Sequence, residues 1–176
     1  MATRPRPSPT EAPAEAPVAT DPAAAVTAAQ VLRHFRLVFN AVKTHFRLVE
    51  KQTGVGGALV WAMSVIDQQP GIGVSALARR MDIHQSTTSN LVKTLIERDM
   101  VEGIREGPDR RAVHLRLRPA GQAVLLKAPQ PFSGVLHEAL DSLDLATLLR
   151  LEHDLGALIA TLKPPARAGR IPMVPV

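Results

Sequence analysis

Apolar and polar positions between residues 74 and 99 follow helical spacing that is interrupted once. The pattern predicts two helices, Val74–Met81 and Gln85–Asp99, joined by a turn at Asp82–His84. In the second helix apolar positions recur three and four residues apart, which predicts one buried stripe. Its members are Thr88, Leu91, Val92 and Leu95. The opposite face then carries short polar side chains: Ser86, Ser89, Asn90 and Lys93, with Gln85 at its margin.

The spacing changes to a period of two after the second helix. This change predicts two strands, Met100–Glu106 and Ala112–Arg118, joined by a turn that contains Gly107 and Pro108. The turn presents three charged side chains, Asp109, Arg110 and Arg111. An arginine on a thin hairpin suits a narrow minor groove, and a neighbouring carboxylate can hold the guanidinium in one orientation.

The polar face of the second helix has the chemistry of base recognition. Asparagine and glutamine pair with adenine, serine reaches several base edges, and lysine binds guanine or phosphate. Together with the arginine-bearing hairpin, this order of elements is typical of a protein that reads duplex DNA. The predicted DNA contacts are Gln85, Ser86, Ser89, Asn90 and Lys93 on the helix and Asp109, Arg110 and Arg111 on the hairpin.

The stretch DRRAVHLRLRPAG, residues 109–121, resembles the wing signature of the MarR family of winged helix-turn-helix transcriptional regulators. The matching positions are Asp109, Arg111, Leu115, Leu117 and Gly121. Two positions depart from the family pattern: Arg118-Pro119 stands where a threonine usually opens the next helix, and Asp82 stands where helix-turn-helix turns often have glycine. Proline is compatible with a first helical turn, and aspartate tolerates a left-handed backbone. The resemblance covers roughly residues 31–162. It implies dimerisation through the terminal helices and a small aromatic or phenolic acid bound between those helices and the DNA-binding lobe.

Long apolar helices are predicted on both sides of the helix-turn-helix segment. Residues 23–52 and 58–69 form the first two helices, and Pro70-Gly71 ends the second. A helix from Pro119 is interrupted around Pro129 and Pro131, and Asp144 caps a last helix with leucines in coiled-coil spacing. This apolar surface exceeds what one side of a small domain needs, which favours a homodimer. An ordinary intramolecular core is the alternative, and the two interpretations are compatible.

The predicted fold is mainly α with a small β-hairpin wing. A Pro- and Ala-rich tail, residues 1–22, precedes a domain at 23–163, and a second tail follows at 164–176; both tails are expected to be disordered. Within the domain, the DNA-binding lobe spans about 56–118. The dimerisation helices span about 23–52 and 120–163.

Composition excludes several classes of protein. The 176 residues contain no cysteine, so disulfides, thiolate zinc sites and thiol switches are excluded. The net charge of +5 is compatible with a polyanionic partner, although a mild basic excess is often only a solvated surface. With no transmembrane run and no secretion signal expected, we predict a cytoplasmic protein.

Candidate effector-binding residues lie on the first two helices. A cation or hydrogen-bond donor beside an aromatic wall would suit an anionic aromatic ring. Those residues are His34, Arg36, His45, Trp61 and Met63. The plainer interpretation is a solvated face for His34 and Arg36 and simple core packing for Trp61. His137 with Asp141 and His153 with Asp154 are expected to be surface pairs, so no metal, cofactor or catalytic centre is predicted.

Three functional hypotheses follow. The favoured one is a dimeric, sequence-specific DNA-binding regulator, expected to be a repressor released by a small aromatic acid. The second is a ligand-independent architectural DNA binder, and the third is a winged-helix protein adaptor. The polar outward face disfavours the adaptor, because protein-docking faces more often carry exposed apolar anchors.

Overall fold

A computed structural model of the chain describes residues 27–104, 113–165, 168–170 and 172. Within these residues seven α-helices follow one another: α1 Ala28–Thr53, α2 Gly57–Gln68, α3 Val74–Arg80, α4 Gln85–Glu97, α5 Pro119–Lys127, α6 Val135–Asp141 and α7 Leu145–Leu162. Three short strands accompany them: β1 Ile72–Gly73, β2 Val101–Ile104 and β3 His114–Leu117. The expected class, mainly α with a small β element, is confirmed.

The long helix α1 has well-defined ends. Thr27 and Gln30 form a reciprocal capping box: the Thr27 hydroxyl accepts from the Gln30 amide at 3.3 Å, and the Gln30 side chain accepts from the Thr27 amide at 2.7 Å. Gly54 ends the helix in the left-handed conformation, at φ 68°. The prediction began this helix at Ala23, and residues 23–26 lie outside the described part of the chain.

Helices α3 and α4 form the predicted pair with a tight turn. Asp82 adopts φ +48° in that turn, which is a left-handed conformation. This conformation was expected, because Asp82 occupies a position where such turns often have glycine. The predicted stripe of α4 is buried: Thr88, Leu91, Val92 and Leu95. The helix ends at Glu97, two residues before the predicted end, and Asp99 turns the chain with φ +59°.

The strands form one antiparallel sheet in the order β1-β3-β2. Val101 pairs with Leu117 and Ile104 with His114, so both predicted strands exist. In the described residues the first strand begins one residue later than predicted, at Val101, and the second ends one residue earlier, at Leu117. Strand β1 pairs Ile72 with Leu115 and was not predicted, because two residues are too few for a period to appear. The hairpin tip, residues 105–112, lies outside the described residues.

Helix α2 lies at the centre of the hydrophobic core. Nine of its 12 residues are buried. Apolar side chains occur around most of its circumference, as expected of a helix that is surrounded by other elements. The α3–α4 pair, the sheet and α5 pack around it. Gly121 permits the close approach of α5 to the sheet, because a Cβ there would lie 2.5 Å from the Met100 carbonyl and 2.6 Å from Leu117 Cδ1.

The break between α5 and α6 falls at the predicted prolines and holds α1 in place. His45 is buried on α1, and its Nε2 donates a hydrogen bond to the Pro131 carbonyl at 3.0 Å. The ring of Phe46 fits against two glycines, since a Cβ would lie 2.0 Å from it at Gly57 and 2.8 Å from it at Gly134. Gly134 also has φ +98°, which disfavours any side chain.

Helix α7 begins at the predicted cap. The Asp144 carboxylate accepts a hydrogen bond from the Thr147 amide at 2.9 Å, and this bond, with a second from the Thr147 hydroxyl, lowers the pKa of Asp144. Within the described chain α7 packs extensively against no other element, and none of its residues is buried. Beyond it, Ala168–Arg170 form one turn of 3-10 helix inside the tail that was expected to be disordered.

Candidate nucleic-acid interface and adjoining cavity

The polar face of α4 is open to solvent along its length. All five residues predicted there are exposed: Gln85, Ser86, Ser89, Asn90 and Lys93. The buried stripe on the other side fixes the rotation of the helix, because Thr88 and Leu91 are fully buried against the core. The outward orientation of this face is therefore a consequence of core packing.

Hydrogen bonds leave the amide groups of this face available. Ser89 Oγ donates to the Gln85 carbonyl at 2.8 Å, and Thr94 Oγ1 donates to the Asn90 carbonyl at 3.0 Å. Both bonds use backbone oxygens, so the side-chain amides of Gln85 and Asn90 are not consumed by them. Lys93 Nζ lies 3.8 Å from a Glu97 carboxylate oxygen in an exposed pair, an interaction that contributes little in water.

The three charged residues predicted at the hairpin tip, Asp109, Arg110 and Arg111, lie outside the described residues. Their part in DNA binding stays a prediction.

A cavity of about 410 Å³ opens between α1, α2, the α3–α4 turn and α6. Its walls are mostly apolar, and its aromatic side is formed by Phe46 and Trp61. The Trp61 and His137 ring centroids are 5.7 Å apart, with the planes inclined by 51°. Charged groups reach the cavity from the turn region, where Arg80 and Asp82 both line it. A concave apolar site with a few polar groups has the character of a small-molecule site.

Of the five effector-binding residues predicted from sequence, Trp61 lines this cavity. His34 and Arg36 are exposed on α1, His45 is occupied by its bond to Pro131, and Met63 is fully buried in the core. Sequence reasoning missed Phe46, Arg80 and His137, which come from three separate elements. Periodicity indicates which face of a helix is apolar, but it does not indicate where two packed helices enclose a cavity.

The histidines of the described residues do not assemble a metal centre, since no group of three or more His, Asp or Glu side chains converges there. His137 Nε2 lies 3.7 Å from Asp141 Oδ2 in an exposed i,i+4 pair. His84, the residue before α4, has a buried Nε2 without a hydrogen-bond partner among the described residues. None of the described helices combines the length and the hydropathy that a membrane-spanning segment requires.

Comparison with known proteins identifies the central segment. The model of the MarR family matches residues 53–112, which run from the end of α1 through the hairpin tip. A search of curated protein sequences gave no significant match.

Solved structures share the fold over most of the chain. A MepR-like protein crystallised with pseudoligands is 20% identical with a TM-score of 0.53, covering 75% of this chain and 95% of its own. The S. aureus MepR–DNA complex is 14% identical with a TM-score of 0.51, covering 77% and 96%. A mutant of E. coli MarR complexed with operator DNA is 17% identical with a TM-score of 0.50, covering 74% and 96%. At these identities the similarity concerns the fold.

Proposed function

We propose that this chain, whose residues 53–112 match the MarR family, is a winged helix-turn-helix transcriptional regulator that binds DNA, and that it is a sequence-specific homodimeric repressor released by a small aromatic acid. The observation that carries the proposal is the division of α4 into a fully buried side and a continuous polar side. A helix fixed in this way presents the same side chains to every duplex it meets.

The polar side of α4 is proposed to enter the major groove. Asn90 and Gln85 would each make bidentate bonds to adenine, and Ser86 and Ser89 would contact neighbouring base edges. Lys93, at the far end, would bind phosphate or guanine. The hairpin residues Arg110 and Arg111 would add a minor-groove contact.

Two copies are proposed to pair through α1 and α7. Large apolar side chains stand exposed on both helices, including Phe39 at 60% and Leu155 at 38%. Monomeric soluble proteins rarely leave continuous apolar surface of this kind in water. A twofold dimer would place two α4 helices in successive major grooves, about 34 Å apart, and would require a near-palindromic site. The DNA complexes of MepR and MarR, which share this fold, support the same use of the chain here.

The cavity beside Trp61 is proposed as the effector site. Its aromatic wall suits a flat ring, and Arg80 and His137 offer donors to a carboxylate or phenolate. It lies between α1 and the turn that leads into α4, so a ligand there would contact both the dimerisation part and the DNA-reading part. Release of DNA requires that the ligand bind one spacing of the two α4 helices more tightly than the other.

The test is a footprint of the full chain on the DNA upstream of its own coding region, at two salt concentrations. We expect a protected near-palindrome that persists against scrambled competitor duplex. Uniform protection with a steep loss at higher salt would contradict sequence-specific recognition and would favour the architectural alternative.

The effector is tested in the same footprint with a panel of aromatic carboxylic acids and phenols. Aliphatic acids of equal charge serve as controls for ionic strength. We expect at least one aromatic compound to release the protected site, and a Trp61→Leu variant to lose that response while still binding DNA. Release by aliphatic and aromatic acids alike would contradict a specific site.

A further inference from the structure

The short C-terminal turn Ala168–Arg170 docks on the helix-turn-helix lobe of its own chain. The backbone amide of His84, directly before α4, donates a hydrogen bond to the Arg170 carbonyl at 3.2 Å. This bond satisfies an amide at the start of α4 that no capping side chain reaches. The turn is therefore attached to the element that presents the polar face.

The same segment also adjoins the neighbouring cavity. Gly169 and Pro172 form part of the wall of the cavity beside Trp61. The backbone of Arg170 thus lies between that wall and the amide of His84, while the residue itself remains exposed. The guanidinium is presented to solvent from an anchored position.

Arg170 shares an open groove with the beginning of α3 and α4. Besides Arg170, the polar residues that line the groove are Ser75, Arg79, Asp82, His84 and Gln85. Asp82 is the single carboxylate among them, and in the part of the chain that the structure describes neither Arg79 nor Arg170 forms an ion pair. Two guanidinium groups against one carboxylate leave the groove positively charged, which suits an anion with several oxygens.

We propose that Arg170 is a DNA-contact residue that binds a backbone phosphate beside the start of α4. The inference rests on the proposed DNA binding. Phosphate is favoured over base contact because the groove lies before the start of α4 and along α3, and the first helix of such a pair crosses the sugar-phosphate backbone. Contacts of this kind position a protein on the duplex and carry little sequence information.

The test compares salt dependence between variants of the full-length chain. Binding to one specific duplex and one scrambled duplex is measured across a series of KCl concentrations for wild type, Arg170→Ala and Arg170→Lys. Arg150→Ala is the matched control, because Arg150 is an exposed arginine of α7 whose loss changes the net charge equally. Circular dichroism checks that each variant is folded.

For Arg170→Ala we expect affinity to fall by a similar factor on both duplexes, roughly tenfold at low salt. The slope of log K against log [salt] should also become shallower by about 1 for each arginine lost. Arg170→Lys should keep most of the slope, and Arg150→Ala should behave as wild type. An unchanged slope for Arg170→Ala, or tighter binding, would overturn this inference while leaving the proposed function intact. Failure of the wild-type chain to bind either duplex would instead overturn the proposed function itself, and the inference with it.

Discussion

Helices α4 and α7 are both amphipathic, yet among the residues that the structure describes only α4 has its apolar side covered. Helix α4 buries its four-residue stripe in the core and exposes polar groups, whereas α7 has no buried residue in that part of the chain and exposes leucines. The apolar side of α4 packs against the core of its own lobe, so its polar side faces solvent and is available for recognition. The apolar surface of α7 remains to be covered, which is the state expected of one half of an interface.

The largest effect is expected from a charge placed on α7. Leu155→Glu should prevent dimerisation, because a carboxylate buried without a partner costs about 3–5 kcal/mol, and a twofold interface contains the substitution twice. Analytical ultracentrifugation of the variant at micromolar concentration should give a monomer.

The matched control for that variant is Glu152→Lys, on the same helix and also exposed. It should leave the dimer intact. A Leu155→Glu protein that sediments as wild type does would mean that the leucines of α7 are not the interface, and the contrast between the two helices would lose its explanation.

A smaller effect is expected on α4. Asn90→Ala should reduce discrimination between the specific and scrambled duplexes by about 1–3 kcal/mol, because a bidentate base contact is lost. Binding competition between the two duplexes measures it. The dimer should be unaffected, which separates the role of α4 from that of α7.

Asn40→Ala provides the control for this prediction, since Asn40 is an exposed asparagine on α1. It should leave discrimination unchanged. If Asn90→Ala weakened binding to specific and scrambled DNA equally, Asn90 would contact the DNA backbone and not a base.

The smallest effect concerns the cap of α7 and its pH dependence. The hydrogen bonds from Thr147 lower the pKa of Asp144 in the folded chain, so the unfolded chain takes up its proton at higher pH. The contribution to stability is therefore present above the ordinary carboxyl pKa and is lost as the pH falls through the lowered one.

Asp144→Asn removes this titration while keeping a capping side chain. Thermal unfolding midpoints of the variant and wild type, measured from neutral pH into the acid range, should differ most at neutral pH and converge in acid. A constant difference across that range would show that the carboxylate does not titrate differently on folding.

The sequence predicted best what depends on local periodicity. The buried stripe of α4, the start of α4 at Gln85 and the Asp144 cap follow from spacing and residue type within a few positions. Helix ends were less accurate: α4 stops at Glu97 because the chain turns at Asp99, and a left-handed aspartate cannot be told from a helical one by composition.

What the sequence did not predict depends on contacts between distant segments. Strand β1 exists because Ile72 meets Leu115, and the cavity combines Phe46, Trp61 and His137 from three helices or their ends. The docked turn at Ala168–Arg170 also lies in a stretch whose prolines favoured disorder. Its attachment requires the amide of His84, which is far away along the chain.

The placement of Phe46 between Gly57 and Gly134 has a mechanical consequence. At either glycine even a methyl group would overlap the ring, so no slack separates α1 from α2 or from the turn before α6. Close-packed interiors are nearly incompressible and pass displacement from one element to the next. A tilt of α1 would therefore be expected to displace α2 as well, because the Phe46 ring and the buried Val49 both connect α1 to the lobe.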